Sequence, residues 1–474
     1  MKNLKVLIIN ICLRPHKPEF LFPLGLSYIA GAIQRAGYDF EILDLDRYRK
    51  TDEELEDILR QKDFDVVAFG CIVTGYKIVK KLSQMIRNIK KEAIIIAGNS
   101  VADSIPRLLL EKTEVDVAVA GEGEITIVEV LGKLNNSESL KDVKGIWYKE
   151  NGRIFSNPLR EVIKDVDSVP FPPWNLFDME AYIESLKALL VEPLPLPKKQ
   201  IRPFLVNTAR GCPFKCSFCY QVFQRFGYRH RSADSILSEI KELQRRYDIN
   251  YISFNDELSF PTKTMLEEFV DKILSENIKF FWGVICRSDL LKSEDDLELL
   301  KKVKSAGCLG FGFALESANK GILKAMNKRL VPEDFARQKR ILDKAGLDTW
   351  TALVFGYPQE TKETIKETVD FCYDLDIYPS AGYLLPLPGT PMYDYVFEKG
   401  LACDEEELLM SLGDRQDLWI NLTQMPSDEF QAEVKKSLKR LADKLNLGFS
   451  EENLLKTTKQ FAKQPQEEVV GQLR

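Results

Sequence analysis

The chain has 474 residues, 45% of them hydrophobic and 29% charged, which is the balance of a globular protein too long for one ordinary core, so two or three domains are expected. Its 66 Lys and Arg against 72 Asp and Glu give a net charge of −6 without a long basic block, which argues against nucleic acid as a partner. No apolar run reaches the roughly 18 residues of a membrane span, and Met1-Lys-Asn-Leu-Lys5 leads into a strand-like segment rather than a secretory signal. A cytoplasmic protein with no membrane span is expected, and its nine cysteines form no disulfide framework of the secreted kind.

Residues 1–140 alternate β-branched apolar runs with amphipathic stretches, the pattern of a doubly wound, Rossmann-like α/β domain with a parallel sheet. Strands are expected at Lys5–Asn10, Asp39–Leu43, Val66–Gly70, Ala93–Ala97 and Val115–Ala120, with helices such as Leu24–Ala36 and Tyr76–Lys91 between them. Ligands of such sheets lie beyond the strand carboxyl ends. Those ends carry Asn10 to Arg14, Gly70 to Gly75 with Cys71, Gly98-Asn99-Ser100, and Gly121-Glu122-Gly123. They are small, polar and Gly-rich, as the approach of a large flat ligand to the backbone requires. Plain strand-to-helix turns have the same composition.

Residues 141–200 read as a connector. Asn151-Gly152 signals a type I′ hairpin between 145–149 and 153–156, and the prolines of Val169–Trp174 and Pro193–Pro197 favour extended backbone. From 201 the alternation restarts with the longer rhythm of a partial (β/α)6 TIM-like barrel. Its strands are expected at Phe204–Thr208, Tyr251–Asn255, Phe280–Val284, Leu309–Leu315, Thr349–Phe355 and Tyr378–Leu385, and helices such as Asp234–Tyr247, Met265–Glu276 and Glu333–Ala345 fill the gaps. The barrel is expected to span 201–395. Residues 396–474 form a small, polar helical region whose end, Gln464 to Glu468, is expected to fray.

Directly after the first barrel strand, where barrels place their chemistry, stands Ala209-Arg-Gly-Cys212-Pro-Phe-Lys-Cys216-Ser-Phe-Cys219-Tyr220. Three thiolates at C-x3-C-x2-C spacing hold three irons of a 4Fe-4S cubane and leave the fourth iron open. A zinc site prefers paired C-x2-C arms, and no second arm lies nearby. One cluster is therefore expected, with Cys212, Cys216 and Cys219 as both its metal ligands and the catalytic residues. Cys286 and Cys308 lie near strand ends, where small buried hydrophobes are the commoner reading.

The cysteine run in its Arg-Gly-Cys-Pro-Phe setting resembles the signature of the radical S-adenosylmethionine (radical SAM) superfamily. Pro23-Leu-Gly-Leu26, Gly37, Asp44 and Gly121 to Glu124 resemble the cobalamin-binding domain of the cobalamin-dependent radical SAM enzymes. The likeness continues through Asn255-Asp256-Glu257, Cys286-Arg287, Gly310 to Ser317, Met326-Asn-Lys328, Gly356 to Thr361 and Pro386 to Pro391, so it covers about 1–395. It implies a 4Fe-4S cluster, S-adenosylmethionine and cobalamin as cofactors, an electron donor such as flavodoxin or ferredoxin, and a methyltransferase acting on an unactivated carbon. Relatives with the same two domains perform rearrangement, cyclisation or coupling, and a cluster-holding sensor without turnover is the reading outside enzymes. The substrate class stays open among small molecule, lipid, sugar and peptide.

The resemblance also suggests roles. Glu316, on an otherwise apolar strand, is a partner for the cofactor's amino group or ribose, or half of a salt bridge within the barrel. Asp256 and Glu257 contact the ribose, orient a group near cobalamin, or cap the next helix. Gly356 begins a turn beside the adenine, and Thr361 caps the helix that follows. Arg287 pairs with a carboxylate of cofactor or substrate, or is surface charge. Tyr220 offers an aromatic face near the cofactor, or only packs. Cys71, Gly98, Asn99, Ser100, Gly121, Glu122 and Gly123 are the candidate cobalamin contacts. Only two histidines occur, His16 and His230, and the Asp-x-His-x-x-Gly loop that supplies an axial histidine in other cobalamin proteins is absent. Cobalamin without a protein histidine ligand is expected.

Overall fold

The computed structural model describes residues 4–190, 194–220 and 222–456; Pro193 of the second proline stretch and the 464–468 tail lie outside them. The chain divides into two compact units. One comprises Met1–Tyr182, Tyr220–Arg229 and Leu387–Gly413, the other Ile183–Cys219, His230–Pro386 and Asp414–Arg474.

The first unit holds a seven-stranded sheet of β1 (Val6–Asn10), β2 (Phe40–Asp44), β3 (Val66–Gly70), β4 (Ile94–Gly98), β5 (Val117–Val119), β6 (Ile146–Glu150) and β7 (Arg153–Ser156). Their order is β2-β1-β3-β4-β5-β6-β7, with β1 to β5 parallel. Their runs VLIIN, VVAFG and IIIAG lack polar alternation because a parallel strand is covered on both faces. On one face Val6, Ile8, Val66, Ala68, Ile96 and Val117 pack with Ile33 of helix Leu24–Arg35 and with Ile127 and Val130 of helix Glu124–Asn135. Part of the expected connector completes this sheet. β6 pairs antiparallel with β5, and β7 with β6, around Asn151 and Gly152, whose φ values of 51° and 73° suit a type I′ turn. The reversal of strand order falls between β1 and β3, where a ligand crevice opens in such sheets.

The second unit contains β8 (Pro203–Val206), β9 (Tyr251–Phe254), β10 (Phe281–Ile285), β11 (Cys308–Gly312), β12 (Asp348–Trp350), β13 (Ala352–Phe355) and β14 (Ser380–Tyr383). Five strands run parallel in the order β12-β11-β10-β9-β8, and β13 pairs parallel with β14. The run expected as one strand over 349–355 is broken at Thr351. The Leu315 N–H donates to Thr351 Oγ1 at 3.0 Å, in place of a ladder bond, and pairing resumes as a bridge between Glu316 and Leu353. The ladder is interrupted there, with β12 in the five-stranded sheet and β13 paired with β14. Helices Ala233–Tyr247, Lys263–Ser275 and Lys362–Asp374 start at Ser232, Thr262 and Thr361, each of which accepts a backbone N–H at the helix start.

In the C-terminal region, helix Glu405–Ser411 is fastened within the first unit by Glu406, which accepts from Tyr76 Oη at 3.0 Å and pairs with Lys80. Helix Ser427–Lys444 packs in the second unit, where Phe430 meets the Tyr383 ring at 5.5 Å. No helix among the described residues is long and apolar enough to cross a membrane.

Candidate functional site

The chain leaves β8 and enters the cysteine loop through residues 207–209, all tied to Asp256 beyond the end of β9. Asp256 accepts from the N–H groups of Thr208 (2.9 Å) and Ala209 (3.1 Å), from Thr208 Oγ1 (2.5 Å), Asn207 Nδ2 (3.0 Å) and Ser259 Oγ (3.0 Å). Burial pushes its carboxyl up, and the Thr208 and Asn207 bonds pull against that. Its lone pairs are spent on protein, so it holds the entry to the loop. It does not cap the next helix; Thr262 does. Burial also raises the Glu257 carboxyl, against bonds from its own N–H and from that of Gly211.

Cys212, Cys216 and Cys219 are free thiols, each partly exposed. Ser217 pins the loop between them: its N–H donates to Met326 O at 2.9 Å, its hydroxyl to Ala325 O at 2.8 Å, and Tyr357 Oη lies 2.8 Å from that hydroxyl. Asn327 Nδ2 donates to Lys215 O at 2.7 Å. Burial raises all three thiols, Cys219 to about 12, while Lys328 pulls each of them down. These groups bind iron as thiolates, so cluster loading must displace their protons. Among the described residues no three His, Cys, Asp or Glu side chains converge as ligands of a single ion. A cubane takes one thiolate per iron, so its ligands need not converge, and three neighbouring thiols on a pinned loop fit it.

Beside the loop lies a buried ion pair. Lys328 Nζ is 2.9 Å from Glu316 Oε1, with side chains only 11% and 9% exposed. Glu316 has φ 62°, a left-handed conformation that a non-glycine residue keeps only where its surroundings enforce it, as they do at functional sites. Its N–H donates to Ala352 O at 2.9 Å and its carbonyl accepts from Val354 N–H at 3.1 Å. Gly356, just after β13, has φ 110°, a value that excludes a side chain at low cost. Its N–H donates to Glu360 Oε2 at 3.2 Å, and Thr364 Oγ1 donates to Glu360 Oε1 at 2.8 Å.

Burial lifts the Glu360 carboxyl to about 7. The folded chain therefore keeps this proton to higher pH than the unfolded chain, and the stability it contributes below about pH 4.5 is lost as pH rises through 7. Thermal unfolding across this window should show wild type losing up to about 3 kcal/mol more than Glu360→Gln between pH 4.5 and 7.5. Equal pH dependence in the two proteins would refute that assignment.

Arg287, two residues beyond β10, is not surface charge. Its guanidinium carbon sits 3.6 Å from the centroid of Phe214, inside the cysteine loop, and Nη2 donates to Lys328 O at 2.6 Å. Cys286 and Cys308 are 6% and 1% exposed, core residues as expected, and burial raises both thiols. Ser217, Tyr357, Lys328 and Glu360 received no role from sequence. Each nevertheless lies in a run that carried the resemblance: Ser217 in the cysteine loop, Lys328 in Met326 to Lys328, and Tyr357 and Glu360 in Gly356 to Thr361.

In the first unit the loops beyond β3 and β4 are tied together. Ser100 Oγ accepts the Val73 N–H at 2.8 Å, and Cys71 N–H donates to Gly98 O at 3.2 Å. Cys71 is only 2% exposed, so its thiol offers no ligand contact. Asn99 is exposed and strained, with φ 67° and ψ −164°, a region otherwise left to glycine. Gly121 and Gly123 answer to packing rather than to an open crevice: a Cβ would lie 3.2 Å from the Phe226 ring at the first and 2.8 Å from Ile29 at the second. Glu122 is likewise occupied, by Arg229 Nη1 at 2.8 and 3.0 Å and by the Ile163 N–H at 2.7 Å. Tyr220 donates its hydroxyl to Asp103, and its ring leaves no room for a Cβ on Gly389.

At the switch between β1 and β3, Leu13 and Ile72 stand 37% and 42% exposed, an aliphatic surface at the expected crevice. That surface and the strained Asn99 fit a large flat group such as a corrin. His16 is exposed in the loop after β1; His230 is exposed, with Nδ1 3.1 Å from Arg231 O.

Comparison with known proteins agrees with both halves. Residues 18–131 match the B12 binding domain model and residues 206–372 the radical SAM superfamily model. A Pyrococcus horikoshii protein named as an uncharacterized methyltransferase is 29% identical over 384 residues, covering 80% of this chain and 79% of its own. The anaerobic magnesium-protoporphyrin IX monomethyl ester cyclase of Cereibacter sphaeroides is 29% identical over 380 residues, 78% of this chain and 60% of the relative. The fold is shared with the radical SAM methyltransferase TsrM of Kitasatospora setae, solved with cobalamin and a [4Fe-4S] cluster bound: TM-score 0.66 at 20% identity, over 84% of this chain and 78% of that one. A three-cysteine loop after the first strand of a parallel barrel sheet, followed by a buried acidic strand end, defines a radical SAM enzyme. With the B12 binding domain before it, the chain joins the two domains that together characterise cobalamin-binding radical SAM enzymes. Its cofactors are a 4Fe-4S cluster, S-adenosylmethionine and cobalamin.

Proposed function

We propose that the protein transfers a methyl group to an unactivated carbon of a small-molecule, lipid, sugar or peptide substrate, in the cytoplasm, with electrons from a flavodoxin or ferredoxin. The observation that carries this is the joining of a B12 binding domain to a three-cysteine radical SAM domain, in a chain 29% identical over 80% of its length to a protein named as a methyltransferase. Bound here, the cluster would supply one electron to split S-adenosylmethionine into methionine and a 5′-deoxyadenosyl radical, and cobalamin would supply a methyl group drawn from a second S-adenosylmethionine, which leaves as S-adenosylhomocysteine.

The chain's own residues orient and enclose. Cys212, Cys216 and Cys219 hold the cluster; Ser217, Asn327 and Tyr357 fix their loop. Glu316 receives the cofactor's amino group or ribose, and Lys328, released in part from Glu316, receives its carboxylate. Gly356 lets the backbone run close beside the adenine, and Glu257 lines the same rim. Gly98, Asn99 and Ser100, with the backbone of Cys71 and of Gly121 to Gly123, flank the corrin, while Leu13 and Ile72 present it an aliphatic face without a histidine. In this reading residues 1–140 bind cobalamin, 141–200 connect, 201–395 carry the radical chemistry, and 396–474 close the substrate end.

The cyclase relative, equally similar, supports a second reading in which the radical closes a ring and no methyl group moves. Anaerobic cell extract given the protein, a reductant and S-adenosylmethionine with a deuterated methyl group separates them. A product carrying the label, absent when cobalamin is withheld, is expected for methyl transfer. Consumption of an extract metabolite with 5′-deoxyadenosine formed and no label in any product would replace it with ring closure.

A further inference from the structure

We infer that Arg287 is a potential-setting residue: its buried guanidinium, stacked on Phe214 of the cysteine loop, raises the reduction potential of the cluster held there. The inference rests on the radical SAM reading and adds a role that cluster and cofactor binding do not require.

Three observations carry it. The guanidinium carbon lies 3.6 Å from the Phe214 centroid, and Phe214 stands midway between Cys212 and Cys216, so the cation is fixed against the loop itself. A desolvated cation over an aromatic face is held by the ring's quadrupole, and the 2.6 Å bond from Nη2 to Lys328 O ties the same group to the turn that clamps the loop.

The charges nearby do not cancel it. Lys328 is matched by Glu316 at 2.9 Å. The carboxylate paired with Arg287 is Asp289, at 3.7 Å from Nε and 46% exposed, whereas the arginine side chain is only 11% exposed; such a loose, wet pair contributes little. Nε is buried without a hydrogen-bond acceptor. Glu257 bears on Cys212 with the opposite sign, but more weakly than Arg287 does. A net positive charge therefore remains beside Cys212 and Cys216.

Reduction adds one negative charge to the cluster. A fixed cation in a poorly solvated site favours the reduced state, and local charge is among the factors that spread cluster potentials widely. For an enzyme that must accept an electron from a protein donor before cleaving its cofactor, Arg287 eases that first step.

The test is an anaerobic redox titration of the reconstituted protein without S-adenosylmethionine, with the reduced cluster followed by electron paramagnetic resonance. Arg287→Met and Arg287→Gln are expected to shift the midpoint to more negative potential. At the wild-type midpoint their reduced-to-oxidised ratio should fall about tenfold, which is 59 mV for a one-electron couple. Arg287→Lys, which keeps the charge, should stay near wild type. The glutamine variant keeps an uncharged but polar side chain, so it serves if the methionine variant takes up no iron. An intact cluster with unchanged midpoint in either neutral variant overturns the proposal alone. A wild-type protein without a cubane spectrum overturns the radical SAM reading and this proposal with it.

Discussion

Replacing Cys216 with Ala is expected to abolish the cluster and the chemistry together. The cubane absorption should vanish from anaerobically reconstituted protein, and cofactor cleavage should fall by more than the roughly 100-fold that losing a supporting hydrogen bond around a metal costs. The reason is geometric as well as chemical. Cys216 sits in the middle of a loop whose neighbour Ser217 is fixed by three contacts, to Met326, Ala325 and Tyr357, so no other thiol can move in to replace it. Cys286 and Cys308 are committed to the core. Because Ser217 keeps these contacts in the variant, the fold should persist, and circular dichroism of Cys216→Ala should match wild type. Iron content and turnover equal to wild type would contradict the assignment.

The largest stability effect is expected at Glu316. Changing it to Gln leaves the Lys328 ammonium, 11% exposed, without its carboxylate in a site that cannot hydrate it. Breaking a buried pair from one side costs about 3–5 kcal/mol, readable as a lower midpoint in denaturant unfolding. Pairing Glu316→Gln with Lys328→Met should recover much of the loss, since removing both charges also removes the desolvation penalty. The double variant should still fail to cleave S-adenosylmethionine. Recovery of stability without recovery of turnover is what separates a cofactor-binding pair from a salt bridge that only braces the barrel. A single variant losing under about 1 kcal/mol would show that the pair is solvated and worth no more than a surface one.

Much of this fold is legible in the sequence because parallel strands announce themselves. Runs such as Val6–Asn10 and Val66–Gly70 are apolar on both faces, and turn signals such as Asn151-Gly152 act over two residues. The break at Thr351 was not legible, because it depends on a bond from the Leu315 N–H, 36 residues away. Nor was the addition of β6 and β7 to the edge of the first sheet, which depends on which strand edge is left open.

The same distinction divides the site. Cys212, Cys216 and Cys219 form a local pattern with a chemical meaning, and Glu316 stood out as a charge on an apolar strand. Asp256 looked like a ligand, but its oxygens are claimed by donors 47 to 49 residues earlier. Glu122 looked like part of a Gly-rich ligand loop, yet it binds Arg229, 107 residues on. A carboxylate between glycines reads alike in sequence whether it meets a cofactor or an arginine. Only the folded chain shows which donor reaches it.

An iron corner left open by three cysteines is expected to let S-adenosylmethionine dock and be cleaved. The most direct measurement of this is chromatographic assay of 5′-deoxyadenosine after anaerobic, chemically reduced protein is mixed with S-adenosylmethionine. 5′-Deoxyadenosine is expected to accumulate with wild type and not with Cys216→Ala. A wild-type cluster, intact by spectroscopy and fully reduced, that yields none would contradict it.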